Sequence, residues 1–167
     1  MAEVCADPMA YEETFDGFAE YIAAIGAKHV SAKELLSPHK PKVAEELGYE
    51  WLLPPREMWS NLEPLIEIFE QMRALVNEPI AVRNWWRPAD YNAEVGGAKR
   101  SDHISGHAFD CDFKSRDSRA KAEELVEKLQ DERDDLQLSL GFGAKTIHLG
   151  AKSPKGRRTW YYDSYKR

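Results

Sequence analysis

Cysteine is nearly missing: the 167 residues contain two, Cys5 and Cys111. Two cannot build a disulfide framework, and nothing in the sequence pairs them. Cys111 is therefore expected as a small buried residue rather than a ligand or nucleophile. Long apolar runs are missing as well. No stretch approaches the roughly 20 apolar residues a membrane span needs, so no span is expected. The opening Met1-Ala2-Glu3-Val4-Cys5-Ala6-Asp7 has neither the basic start nor the apolar run of a secretory signal, so synthesis is expected in the cytoplasm. Positive charge is not in excess either: 29 acidic against 23 basic residues leave a formal net charge of -6. Phosphate affinity comes largely from clustered Lys and Arg, so no nucleic-acid partner is expected. The basic stretch is 152–158, joined by Lys166 and Arg167 at the end of the chain. It reads as a solvated loop, one that could also meet an anionic polymer such as cell wall. Internal repeats and low-complexity tracts are absent, which leaves disorder without a compositional basis.

What remains is ordinary globular material, 43% apolar and 31% charged, in a length that suits one core. Asp7 and Pro8 read as N-cap and first residue of a helix carried by Tyr11, Phe15, Phe18, Ile22 and Ile25, ending at Gly26. Ser31 opens a helical turn through Leu36, and Pro38 and Pro41 make the following residues a connector. Met58, Leu62, Leu65, Phe69, Met72 and Val76 keep the helical period. Pro64 inside that pattern moves the regular part to about Ser60 or Asn61. Ile80 to Val82 reads as a strand and Asn84 to Asn92 as a loop. His107 to Phe113 alternates as a strand, with Phe109 and Cys111 on one face and Asp110 and Asp112 on the other. A charged helix over 118–131 and short strands over 136–140, 146–149 and 159–162 complete the pattern. Helices first, then strands mixed with one helix, imply an α+β domain with a mainly antiparallel sheet packed against helices. The expected organisation is a helical extension over residues 1–27 and one domain over 28–167.

The chemistry concentrates in Ser101-Asp102-His103-Ile104-Ser105-Gly106-His107-Ala108-Phe109-Asp110. On a helix, His103 and Asp110 would be about 10.5 Å apart along the axis, too far for one ion with ligands at about 2.0 to 2.2 Å. A turn at Gly106 followed by a strand lets the loop histidine and the strand carboxylate converge. His148, in the apolar-flanked strand Thr146-Ile147-His148-Leu149, is the natural third ligand. Two histidines and a carboxylate leave a fourth tetrahedral vertex for water. Each residue alone is more often structural, and the combination is what points to a metal.

The pattern Ser101-x-His103-x-x-Gly106-x-Ala108-x-Asp110 resembles the signature of the zinc D-Ala-D-Ala carboxypeptidase and peptidoglycan endopeptidase family, which has the Hedgehog/DD-peptidase fold. Trp86-Arg87-Pro88, Tyr91-Asn92 and Val95-Gly96-Gly97-Ala98 resemble the segment before it. So do Lys28-His29-Val30-Ser31 with Glu34-Leu35-Leu36 upstream, and His148 with Arg157, Arg158 and Trp160 downstream. The resemblance runs over roughly residues 28–163 in matching order. It implies Zn2+ held by His103, Asp110 and His148, Arg87 steadying the substrate carbonyl, and Ser101 beside the substrate. The implied substrates are peptidoglycan stem peptides, cut as a carboxypeptidase or a cross-link endopeptidase. A phage lysis enzyme acting at the cell wall after release, or a component of a phage particle in contact with other virion proteins, fits that activity.

One departure stands out. Family members usually carry a catalytic Glu or Asp a few residues before the last histidine, and some close relatives carry an Asp two residues after it. Residues 141–147 hold no carboxylate, and the position two beyond His148 is Gly150. Asp163 is the expected stand-in as general base, with Asp112, Glu94 and His107 as further candidates. Three readings follow: the first is a zinc peptidase, and the second a zinc-binding structural or wall-binding module that kept the metal and lost the chemistry. A metal-free domain is the third.

Overall fold

A computed structural model describes residues 6–165 as six α-helices and a five-stranded sheet. Cys5, Lys166 and Arg167 lie outside the described residues. Asp7 caps a 3-10 turn at Pro8–Ala10, its carboxylate accepting from the Met9 amide. The helix expected to run on from Pro8 restarts instead as α1, Phe15–Ala24, because Thr14 supplies a second N-cap to the Gly17 amide. Gly26, at φ +94°, follows its end. Ser31 caps α2, Ala32–Leu36, as its residue type and position imply. The connector after it is shorter than expected, since Pro41 serves as the first residue of α3, Pro41–Glu46.

A 3-10 turn over Arg56–Asn61 leads into α4, Leu62–Val76, with Pro64 in its first turn, where a missing amide costs no helical hydrogen bond. Strand β1 is Ala81–Asn84, starting one residue and ending two residues later than the apolar run suggests. The expected loop over 84–92 contains α5, Ala89–Glu94, which starts directly after Pro88. Strand β2, Ala108–Asp112, and helix α6, Arg116–Glu132, capped by Ser115, match the alternation and the charged period. The stretch 136–140 splits into a 3-10 turn ending at Leu136 and β3, Ser139–Phe142. β4, Thr146–Gly150, and β5, Arg158–Tyr161, close the chain.

The strand order is β1-β2-β4-β3-β5. Three neighbouring pairs are antiparallel and β3 with β5 is parallel, so the sheet is mixed, with antiparallel pairing dominant. One face is apolar: Phe109, Cys111, Leu140, Phe142, Ile147 and Leu149 are fully buried, in one core with Phe69 and Met72 of α4 and Ala122 and Val126 of α6. Residues directly opposite in adjacent strands share a face. The register aligns Asn84, Asp110, His148, Gly141 and Trp160 in a single row across all five strands, on the face away from that core. Helix α1 joins the same core. Phe18 stacks on Trp85 with ring centroids 5.4 Å apart and meets Trp59 edge-on at 5.2 Å. Among the described residues no helix is long and apolar enough to cross a membrane.

Candidate metal centre

The row across the sheet supplies Asp110 from β2 and His148 from β4, with His148 Nδ1 3.1 Å from Asp110 Oδ1. His103 enters from the loop before β2. Gly106, at φ +73°, turns that loop, and tryptophans hold it: Trp85 Nε1 donates to Gly106 O at 2.8 Å and Trp86 Nε1 to Ile104 O at 3.0 Å. Asn61 at the head of α4 donates to Ser105 O. Pinned in this way, His103 Nε2 lies 3.2 Å from Asp110 Oδ2.

The tautomer of His103 follows from its other nitrogen. Nδ1 lies 2.7 Å from the Trp85 carbonyl, which can only accept, so Nδ1 carries the hydrogen and Nε2 presents its lone pair. Burial holds the His103 pKa below its ordinary value, which keeps the ring neutral. Despite its nearness to Asp110, Nε2 makes no hydrogen bond and is buried without a partner. A buried lone pair aimed at a carboxylate is costly unless a cation completes the geometry. One ligand atom from each of His103, Asp110 and His148 lies within 4.8 Å of the others, a group able to hold a metal ion. The two imidazoles approach different oxygens of Asp110, His103 Nε2 at 3.2 Å from Oδ2 and His148 Nδ1 at 3.1 Å from Oδ1, so the carboxylate stands between them.

Asp110 is the hub. Its Oδ2 also accepts from Arg87 Nη2 at 3.1 Å and Asn84 Nδ2 at 3.3 Å. Burial alone would raise its pKa, but the adjacent imidazoles hold it well below the ordinary carboxylate value. Arg87 reaches it from the segment after β1, and Nη1 is steadied by Asn92 at 3.3 Å. Ser101 Oγ accepts from the His103 amide at 3.2 Å, which makes Ser101 a turn-former as well as a lining residue.

The cluster opens into a cavity of about 480 Å³. Besides the three candidate ligands, Arg87, Ser101, Asp102, Lys155, Arg158, Trp160 and Tyr162 line it. A larger hollow of about 570 Å³ near Pro38, Tyr49 and Trp51 has no part in the site, since it contains none of these groups. Trp160 reaches the cavity because position 141 is glycine: a Cβ there would sit 2.5 Å from the indole. The indole packs 5.0 Å from His148, and the Arg158 guanidinium lies over the indole, 4.7 Å from the ring centroid.

The stand-ins expected for the general base do not come to the cavity. Asp163 is exposed beyond the end of β5. Asp112 pairs with Arg83 at 3.3 Å, His107 Nδ1 lies 2.7 Å from Ser105 Oγ, and Glu94 is exposed on α5. Cys111 is a buried thiol whose pKa burial pushes up, so it is no nucleophile.

Sequence reasoning missed Asp102. Its side chain is 1% exposed, with Oδ2 3.2 Å from His148 Nε2 and 2.8 Å from Arg158 Nη2. Ser153 donates to Oδ1 at 2.6 Å and Ser139 to Oδ2 at 3.2 Å. Position 150 carries no carboxylate, and the space beside it is filled by this one: a Cβ on Gly150 would lie 3.3 Å from Asp102 Oδ2. The only local signal was an acidic residue next to a candidate ligand histidine, and its partners lie 37 to 56 residues away.

Fold and centre together define an α+β domain with a His-Asp-His cluster able to hold a metal ion at one face of a mixed sheet. Residues 43–149, well over half of the chain and including all three candidate ligands, match the family model described as Peptidase M15. The chain belongs to that family, the zinc D-Ala-D-Ala carboxypeptidase family whose signature it carries, and by membership it is a zinc metallopeptidase. No curated protein and no solved structure matches it.

Proposed function

We propose that this chain binds Zn2+ through His103 Nε2, an Asp110 carboxylate oxygen and His148 Nδ1, and hydrolyses D-amino-acid-containing peptide bonds in the stem peptides of bacterial peptidoglycan. The observation that carries this reading is the buried, partnerless His103 Nε2 facing Asp110 beside an open cavity. Bound there, zinc supplies a Lewis acid and a water acidic enough to attack near neutral pH.

The chain's own residues supply the rest. Arg87, already anchored to Asp110 and Asn92, holds its guanidinium at the rim of the cluster, where it can receive the negative charge that develops on the scissile carbonyl oxygen. Lys155, Arg158 and Arg87 outnumber the two carboxylates of the cavity, which suits an anionic peptide. Of these, Lys155 is exposed at the wall of the cavity, where it can meet a substrate carboxylate. Trp160 and Tyr162 offer apolar faces to short side chains such as alanine's. Such a substrate places the action of the protein at the cell wall, reached after release from the cell or as part of a phage particle.

A second reading is favoured by one observation: the acids lining the cavity are Asp102 and Asp110, and both are engaged. A general base contributes typically about 10²- to 10⁴-fold, so a chain without one is a slow peptidase or a zinc-holding, wall-binding module. Zinc-loaded protein incubated with muropeptides distinguishes the two by mass spectrometry. Released D-alanine or shortened stems, abolished in His103→Ala, supports the peptidase. Intact muropeptides at high enzyme concentration, with zinc bound and sacculi retained in a pull-down, would leave the binding module.

A further inference from the structure

The geometry points to Asp102 as a positioning residue of the metal centre: we propose that it locks the His148 imidazole with Nδ1 turned toward His103 and Asp110, and thereby sets the metal affinity. This rests on the zinc reading above. The two nitrogens of His148 face two different carboxylates, Nδ1 toward Asp110 Oδ1 at 3.1 Å and Nε2 toward Asp102 Oδ2 at 3.2 Å. Asp102 thus lies across the ring from the metal-facing nitrogen. From there it cannot join the ligand set, and it acts through the imidazole.

With a cation in the cluster Asp110 would be engaged as a ligand, and Asp102, as the remaining acceptor on the ring, would keep the hydrogen on Nε2 and leave the Nδ1 lone pair for that cation. Asp102 itself has no freedom to turn. Ser153 holds Oδ1, while Ser139 and Arg158 hold Oδ2. Glycine at 150 leaves the room this cluster needs, since a Cβ there would also meet Ser139 Cβ at 3.0 Å. The anchors come from β3, from the β4–β5 connection and from β5, so the second half of the domain is tied to one ring orientation. Without that hydrogen bond the ring, packed edge-on to His103 at 5.1 Å and tilted on Trp160 at 5.0 Å, could present either nitrogen to the cluster.

The rival role is purely local, because the Asp102 backbone carbonyl also accepts from the His107 amide and Ser105 Oγ in the loop turn. Those bonds survive any change of side chain. The experiment is zinc affinity by competition with a chromophoric chelator, the Co(II) visible spectrum, and the metal-free melting temperature, for wild type, Asp102→Ala and Asp102→Asn. Asp102→Ala should bind zinc about 10- to 100-fold more weakly and change the Co(II) spectrum. Asp102→Asn should stay close to wild type, because its amide oxygen can still accept from Nε2–H while its NH2 group faces Ser153 Oγ. Wild-type affinity and spectrum in Asp102→Ala, or an equal loss in both variants, overturns the inference alone. Wild type that binds no zinc overturns the metal reading and the inference with it. Should Asp102→Ala not fold, Ser153→Ala, which frees one carboxylate oxygen, should lose affinity in the same direction, and unchanged affinity there overturns the proposal.

Discussion

Arg87 is a single side chain asked to do two things, hold Asp110 and face the reacting carbonyl. Arg87→Gln keeps a hydrogen-bond donor but removes the charge. The expected result is turnover on muropeptides about 10²- to 10³-fold lower with one zinc per chain retained, checked by product kinetics beside elemental analysis. Loss of the zinc along with the activity would reassign Arg87 to holding the ligand. His39 reports on pH. Burial, then the charges of Arg87, Arg83 and Lys40, press its pKa down to about 4. Its Nδ1 lies 3.0 Å from Tyr91 Oη, which accepts from the Lys40 amide. The unfolded chain protonates His39 near its ordinary 6.5 while the folded one resists until about 4. The stabilisation is therefore full above about pH 6.5 and is lost as the pH falls toward 4. His39→Gln should flatten the dependence of unfolding free energy on pH in that window, measured by urea titration at several pH values. An unchanged slope would remove His39 from the acid response.

Elements place these side chains through register. The row Asn84, Asp110, His148, Gly141 and Trp160 brings one face of five strands to a line, and the glycine between His148 and Trp160 lets the indole cross from β5 toward β4. Gly141→Ala puts a methyl within 2.5 to 2.7 Å of the Trp160 ring. Overpacking of this kind costs typically about 1–3 kcal/mol, so chemical denaturation should show a loss of that size. In a Trp160→Ala background the same change should be near neutral. A full cost in both backgrounds would mean that the glycine serves the strand and not the indole. Elements also show where local pattern misleads. Tyr11 fits the helical period of Phe15, Phe18 and Ile22, yet Thr14 restarts the helix, because an N-cap bond to Gly17 outweighs one more apolar residue in phase. Asn84 to Asn92 reads as a loop for want of apolar period, yet its last four residues open α5, because Tyr91 and Asn92 bury themselves against the α3 side and the site loop.

At the scale of the molecule, the candidate ligands come from a loop and two strands, with His103 and His148 separated by most of the domain's second half. A zinc ion joining them binds the folded chain and not the unfolded one. At free zinc about 100-fold above the dissociation constant, linkage adds about 2.7 kcal/mol, or roughly 5–10 °C for a chain of this size. Calorimetry with zinc and with a chelator should show that shift and its reversal, and identical traces would sink the metal reading. Helix α1 belongs to this scale as well. Phe18 backs Trp85, whose carbonyl orients His103 and whose indole holds Gly106, so the N-terminal helix buttresses the centre from behind. The sequence by itself determined the donor types, the turn at Gly106, the alternation that turns Asp110 away from Phe109, and the family signature, because each is written in residue chemistry and short-range periodicity. Only the tertiary structure decided that Asp102 sits behind His148, that Trp160 crosses Gly141, and that Asp163 stays outside. Those contacts depend on strand register and loop path across tens of residues, and side-chain spacing along the chain carries no record of which strands become neighbours.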